Sequence, residues 1–388
     1  MKIGLITYHH VVNPGSILQT YCGYKLLQSV YPKAAIEIVD YYPTASQEHN
    51  RSQAKIFDQW HDSQLSYAKF LRKHCKFSAY KIRMDNIERG VQDIVSANYD
   101  LVVSGSDTVF QVDGYLGKYL AGPPAPNLYY LPFRGTAKKV GLSVSFDPPQ
   151  NISSEKLGEL AEYLNDFDML FYRDQHAGET LQQMGIKEER LAFTPDPTIM
   201  FDIQSLLPKK SKAIRKSEKV IGISIANDRI SASVKGFLAT RGFLTVDMLV
   251  PKLQIQSRSF WNPLKKPERM NSNSIEARLS KYLELSGLVT DRFHGAIFAM
   301  QLGDYPVIGI EDATVYKSGH GKLWDLFGRL GLENSMIRVS EGQIHGPALE
   351  SAWDSAVSMV PEVKAQFAKL RSKGIDTLVQ GMKQIATQ

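Results

Sequence analysis

Short apolar runs alternate with stretches of helical period along most of the chain. "KIGLITYH" predicts a buried strand, Ser16 to Val30 a helix and "AIEIVDYY" a second strand. A mostly helical insertion follows from about residue 53 to 97, and then "YDLVVSGSD" predicts a strand that ends in small and acidic residues. "KKVGLSVSF" and "DMLFYRD" are further strands, separated by a helix over Ser153 to Asp166 and followed by a helix through "GETLQQMG". The pattern lapses in "PDPTIMFDIQSLLPKKSKAIRKSEK" and restarts at "VIGISI". "FLTVDMLV", a helix from about Ser274 to Leu285, "GLVTD", the helix "HGAIFAMQ" and the strand "YPVIGIE" complete the second half. From about Ala348 the chain is helical.

Strand–helix alternation of this kind marks α/β units with a parallel sheet covered on both faces. The expected organisation is an N-terminal Rossmann-like domain over 1–205, with the helical insertion about 53–97, a second over 206–345, and a helical segment over 346–388. Two doubly wound domains imply a cleft with ligands near the carboxyl ends of the strands.

A length of 388 residues suits two cores rather than one. The 43% hydrophobic and 22% charged content is that of a globular protein. No apolar run approaches the ~20 residues that cross a bilayer, and "MKIGLITYHHVV" lacks a signal peptide's long apolar core. The expected location is therefore the cytoplasm, with peripheral contact at the inner membrane face as an option. The two cysteines, Cys22 and Cys75, have no ligand spacing, which argues against a disulfide framework or a structural zinc site. The net charge of +6 gathers in "KFLRKHCKFSAYKIR" and "KKSKAIRKSEK", but no nucleic-acid motif accompanies either segment, so nucleic acid is not an expected partner.

Candidate chemistry sits at the predicted strand ends. In "LVTDRFHGAIFAM" the strand stops at Thr290, Asp291 stands where an N-cap would, and Arg292 and His294 fall at the start of a helix. Backbone N–H groups and the helix dipole converge there, so these side chains make an anion site for phosphate or carboxylate. Asn13, Pro14, Gly15 and Ser16 form a loop before the first helix, which serves equally as a hydroxyl or anion seat and as a capped turn. Ser104 to Asp107 end a strand; Asp107 serves either as a base toward a sugar hydroxyl or, like Ser106, as the cap of a following helix. Arg173 beside Asp174 is a ligand clamp or a local ion pair. Asp196 between two prolines stiffens an interdomain hinge, and Lys322 starts a helix after a Gly-containing loop. His9 and His10 form a pair at the end of the first strand.

The blocks "NPGSILQTY", "YDLVVSGSDTVF", "FYRD", "PDPTIMFD", "VTDRFHGAIFA" and "KLWDLFGRLGL", in that order over roughly residues 1 to 335, resemble those of the polysaccharide pyruvyltransferase family. The resemblance implies a glycosyltransferase B-like fold and transfer of the pyruvyl skeleton of phosphoenolpyruvate to two hydroxyls of a saccharide as a ketal, in cell-surface or exopolysaccharide biosynthesis. It implies that Arg173, Arg292, Phe293, His294 and Lys322 bind phosphoenolpyruvate; our own assignment on that reading makes His294 and Asp107 catalytic and, from their place at strand ends, gives Asn13, Gly15, Ser16 and Ser106 to the acceptor, free or lipid-linked. Phosphoenolpyruvate is then the donor substrate, with no further cofactor and no metal. After "GSD" the residues Thr108, Val109, Phe110 and Gln111 depart from the family pattern.

Two other readings use the same fold. A nucleotide-sugar glycosyltransferase often carries two Glu separated by seven residues, as Glu268 and Glu276 are, but 40 acidic residues make such a match expected by chance. A non-catalytic sugar- or anion-binding protein would keep the fold without needing Arg173, Arg292 and His294 together.

Overall fold

The computed structural model describes residues 1–56, 58–83, 86–111, 125–146, 153–207, 219–249, 274–313, 321–340, 344 and 346–387. The chain forms two compact units, one of residues 1–55, 68–201 and 368–388, the other of 56–67 and 202–367.

In the first unit the elements run β1 (Lys2–Ile6), α1 (Pro14–Val30), β2 (Ala35–Tyr41), α2 (Thr44–Ile56), α3 (Asp58–His74), β3 (Phe77–Ile82), α4 (Ile87–Ser96), β4 (Leu101–Phe110), β5 (Lys138–Phe146), α5 (Ser154–Leu164), β6 (Met169–Tyr172), α6 (Gln175–Gln183), β7 (Leu191–Phe193) and α7 (Pro197–Met200). α2 and α3 carry the chain into the segment 56–67 that belongs to the second unit. The seven strands are parallel in the order β3-β2-β1-β4-β5-β6-β7. Strand order reverses between β1 and β4, so their carboxyl ends flank the crevice where an open α/β sheet takes ligands. Ile6, Val39, Val102, Val144 and Leu170 from five neighbouring strands share one core with Phe110, Tyr129 and Tyr130. α1 is apolar on most of its surface and correspondingly buried, with Leu18, Cys22 and Leu27 fully enclosed.

The second unit continues with β8 (Val220–Ser224), α8 (Asp228–Thr240), β9 (Leu244–Asp247), α9 (Ile275–Tyr282), β10 (Gly287–Thr290), α10 (Phe293–Leu302), β11 (Val307–Asp312), α11 (Lys322–Arg329), β12 (Met336–Val339) and α12 (Gly346–Thr387). Its parallel sheet runs β12-β11-β10-β8-β9, with the reversal between β8 and β10. Ile221, Ile223, Val289, Ile308 and Ile310 pack with Leu349 and Ala352 of α12. The later half of α12 belongs to the first unit. There Arg371 donates to the Ile199 carbonyl at 2.9 Å, and Gly374 and Gly381 lie so close to Pro195 and Phe171 that a Cβ would collide with them.

The structure departs from the sequence pattern in several places. The insertion expected to be helical contains the strand β3, which adds to the sheet edge. Its charged residues hide it: Arg72 and Arg83 from this basic stretch reach back to Asp40 on β2 at 3.3 and 2.9 Å. β7 and β12 are short strands that the pattern does not resolve. The "GSD" block itself does not start a helix, because β4 runs on through Phe110. The helix expected from Ser16 begins at Pro14, where proline needs no hydrogen-bond donor. The basic stretch 208–218 and Glu268 lie outside the described residues. No described helix is long and apolar enough to cross a membrane.

Candidate functional site

At the reversal point of the first unit, Asn13 caps α1 by accepting the Gly15 N–H at 2.9 Å. The first turn of α1 then points Ser16 at β4, where its Oγ donates to Asp107 Oδ2 at 2.8 Å. Asp107 Oδ1 accepts the Thr108 N–H at 2.9 Å and Arg173 Nη2 at 3.1 Å. Arg173, just past β6, also gives Nη1 to Asp196 at 2.8 Å and places Nε 3.9 Å from Asp174. Asp196 is fully buried, caps α7 through the Thr198 N–H at 3.0 Å and hydroxyl at 2.6 Å, and accepts Gln19 Nε2 at 2.5 Å. The same Gln19 amide donates to Ser106 Oγ at 3.2 Å, and Ser106 in turn donates to the Ser143 carbonyl at 2.8 Å.

The Arg173 side chain has no solvent exposure. Burial works against its charge, but Asp107, Asp196 and Asp174 outweigh it and hold its pKa above the ordinary arginine value. Its guanidinium is engaged by these three aspartates. Ser106 and Asp107 lie within β4, which corrects the expectation that either caps a following helix. Asp107 keeps 12% of its side chain exposed and sits at φ 87°, a conformation costing about 1–3 kcal/mol that surrounding structure must impose. Gly105, at φ 124°, could not carry a Cβ, which would run into the Leu142 carbonyl.

Several buried polar groups of this unit have no hydrogen bond among the described residues: Gln19 Oε1, Ser104 Oγ, His10 Nδ1, the Tyr129 hydroxyl and the Gln111 amide. Gln19 is a member of this network that sequence reasoning missed. Its spacing of three from Ser16 places both on one face of α1 and was the available signal. The orientation of its amide is fixed chemically, since the Asp196 carboxylate can only accept.

His9 and His10 lie at the neighbouring strand end, with His9 Nε2 3.8 Å from Asp40 and His10 stacked on Tyr42. Burial pulls His9 from 6.5 down to about 4, with Asp40 opposing and Arg83 and Arg72 assisting; burial likewise lowers His10. The unfolded chain therefore binds a proton near pH 6.5 that the native His9 refuses until about 4. Stability from this group is complete above the unfolded pKa and is lost as pH falls, by up to about 3 kcal/mol. Urea unfolding from pH 7 to 4 should show a shallower decline for His9→Gln than for the wild type; equal slopes would contradict this.

In the second unit the corresponding reversal point lies at β8 and β10. Thr290 Oγ1 donates to the Ser224 carbonyl at 3.2 Å and accepts the Arg292 N–H at 2.9 Å. Arg292, not Asp291, is the N-cap of α10, and its own side chain makes no cap bond. Asp291 instead accepts the Ala226 N–H at 2.7 Å and pairs with Arg292 Nε at 3.0 Å. The Phe293 ring meets His294 edge-on at 5.4 Å, and His294 stacks on Phe298 at 6.0 Å. Lys322, first residue of α11, holds its ammonium 5.9 Å from the Phe293 ring centre. Arg292, Phe293, His294 and Lys322 are thus brought together here, whereas Asn13, Gly15, Ser16, Ser106, Asp107 and Arg173 belong to the first unit. Among the described residues no group of three or more His, Cys, Asp or Glu is placed to hold a metal.

The fold has counterparts among solved structures. UDP-GlcNAc 2-epimerase from Neisseria meningitidis aligns with a TM-score of 0.53 and 9% identity over 99% of this chain and 100% of its own. The Methanocaldococcus jannaschii UDP-GlcNAc 2-epimerase aligns at 0.51 and 12%, over 95% and 99%. Anabaena HepE, in complex with UDP and glucose, aligns at 0.50 and 11%, over 100% and 98%. These likenesses establish the glycosyltransferase B-like fold and nothing of substrate. Comparison with curated protein sequences returned no match. The family model for polysaccharide pyruvyl transferase matches residues 13–303, which takes in the Ser16–Asp107–Arg173–Asp196 network and the Arg292–His294 turn, and the chain belongs to that family.

Proposed function

We propose that the protein moves the pyruvyl skeleton of phosphoenolpyruvate onto two hydroxyls of a saccharide, forming a pyruvate ketal and releasing phosphate. The observation that carries this reading is the set of basic side chains gathered at the start of α10. Arg292 and His294 stand in the N-terminal turn of α10, with Lys322 near Phe293. A donor bearing both phosphate and carboxylate calls for several cations, and a guanidinium grips either group in bidentate fashion. The first unit supplies the complementary chemistry: Asp107, hydrogen-bonded to Ser16, is a carboxylate suited to accept a proton from a hydroxyl.

In the proposed sequence the methylene carbon gains a proton, which leaves an electrophilic carbon. One sugar hydroxyl adds to it, the carbon–oxygen bond to phosphate breaks, and the second hydroxyl closes the ketal. Of the two hydroxyl protons, one balances the proton placed on carbon and the other leaves with phosphate. His294 is assigned to the departing phosphate and Asp107 to the attacking hydroxyl. Arg173 is reassigned from donor binding to holding Asp107 in place. No metal or further cofactor is used, and a lipid-linked acceptor would bring the protein to the inner membrane surface from the cytoplasm.

Isothermal titration of phosphoenolpyruvate tests the donor half. The wild type should bind, and Arg292→Ala and His294→Ala should each weaken binding about tenfold, the loss of one charge-assisted contact of ~1.5–3 kcal/mol. A wild type that ignores phosphoenolpyruvate but binds a uridine diphosphate sugar would replace this reading with nucleotide-sugar chemistry.

A further inference from the structure

Lys322 is the most distant of the proposed donor cations in sequence, and something must set its position. Its helix, α11, starts at Gly321, which has no side chain with which to cap the first turn. The cap comes instead from β11. Glu311, at the carboxyl end of that strand, accepts the Gly321 N–H on Oε1 at 2.6 Å. The Glu311 side chain is 1% exposed, and its other oxygen lies 3.8 Å from Nε of Arg338, its cross-strand partner on β12. A buried carboxylate at this place does two things. It satisfies one of the helix's orphan donors and complements the positive end of the dipole. It also ties the N-cap residue of α11 to the end of an interior strand.

From this we infer that Glu311 is a positioning residue for the donor site: it anchors the Gly321–Lys322 turn from β11 and so fixes the Lys322 ammonium beside Phe293. The inference rests on the proposed phosphoenolpyruvate reading and adds a residue that does not touch the donor. It also predicts which chemistry is needed at position 311. Gly321 requires an acceptor, and Gln supplies one in the same place as Glu, whereas Ala supplies none.

The test is titration of phosphoenolpyruvate into the full-length wild type, Glu311→Ala, Glu311→Gln, Lys322→Ala and the double variant Glu311→Ala/Lys322→Ala, with thermal unfolding measured alongside. Glu311→Ala and Lys322→Ala should each weaken binding about tenfold, the double variant should be no weaker than about tenfold, and Glu311→Gln should stay within about threefold of wild type. A carboxylate with a merely structural role would give effects that multiply in the double variant, or no effect on binding at all, and either result overturns the inference. If Glu311→Ala does not fold, Glu311→Gln decides alone: retained binding supports the anchoring role, and binding lost as fully as in Lys322→Ala defeats it. A wild type that binds neither phosphoenolpyruvate nor inorganic phosphate overturns the donor reading and this inference together, whereas a wild type that binds while Glu311→Ala binds equally well removes the inference alone.

Discussion

Asp107→Asn is expected to slow pyruvyl transfer by about 10²- to 10⁴-fold while phosphoenolpyruvate binding stays within about twofold of wild type, because the substitution removes a proton acceptor and leaves the cations of the second unit untouched. The amide keeps an oxygen for the Ser16 hydroxyl, which donates to this side chain at 2.8 Å in the native protein, so the first turn of α1 keeps its tether. Arg173 retains Asp196 at 2.8 Å and Asp174 at 3.9 Å, so the guanidinium is not left alone. The change therefore tests charge and basicity with little loss of shape. Steady-state kinetics should show the fall in kcat, and titration should show the donor affinity preserved. Full activity in Asp107→Asn would remove this residue from the chemistry and leave Ser16 and Ser106 as nothing more than parts of the buried network.

The sequence makes the ends of the strands legible and hides what happens beyond them. "GLVTDRFHG" is readable because a buried strand, a small polar Thr and the start of an apolar helix each leave a local signature, and β10 and α10 lie where that signature puts them. The doubly wound architecture is readable for the same reason. The block "SGSD" misleads, since Gly, Ser and Asp carry turn and cap propensity, yet β4 continues through all four. What keeps them in a strand is tertiary. Arg173 lies 66 residues away from Asp107, and Gln19 lies 177 residues away from Asp196. No local pattern encodes such pairings, so Asp196 resembles a rigid proline-flanked linker and Gln19 a routine helical residue. β3 is obscured differently: as an edge strand it exposes alternate positions, and the lysines and arginines around it mimic a solvated helix face.

Arg173→Met should be among the most damaging single changes in the first unit, costing about 3–5 kcal/mol of stability, because it leaves buried carboxylates without their cation. Asp196 is fully buried and Asp107 nearly so, and both face the same guanidinium. Methionine fills much of the volume but offers no donor, so the energetic loss comes from uncompensated charge rather than from a cavity. Asp196 would keep the Thr198 hydroxyl and the Gln19 amide, and the remaining hydrogen bonds hold α7 in place. Asp107 loses more, since its φ of 87° requires outside contacts to sustain it. Chemical unfolding in urea should show the midpoint fall at constant slope. The companion variant Arg173→Met/Asp196→Asn discriminates between causes: removing one of the stranded charges should recover part of the lost stability. If the double variant is less stable than Arg173→Met by the full cost of a second independent lesion, the residues do not act as one buried ion network, and Arg173 is not what holds Asp107 in position.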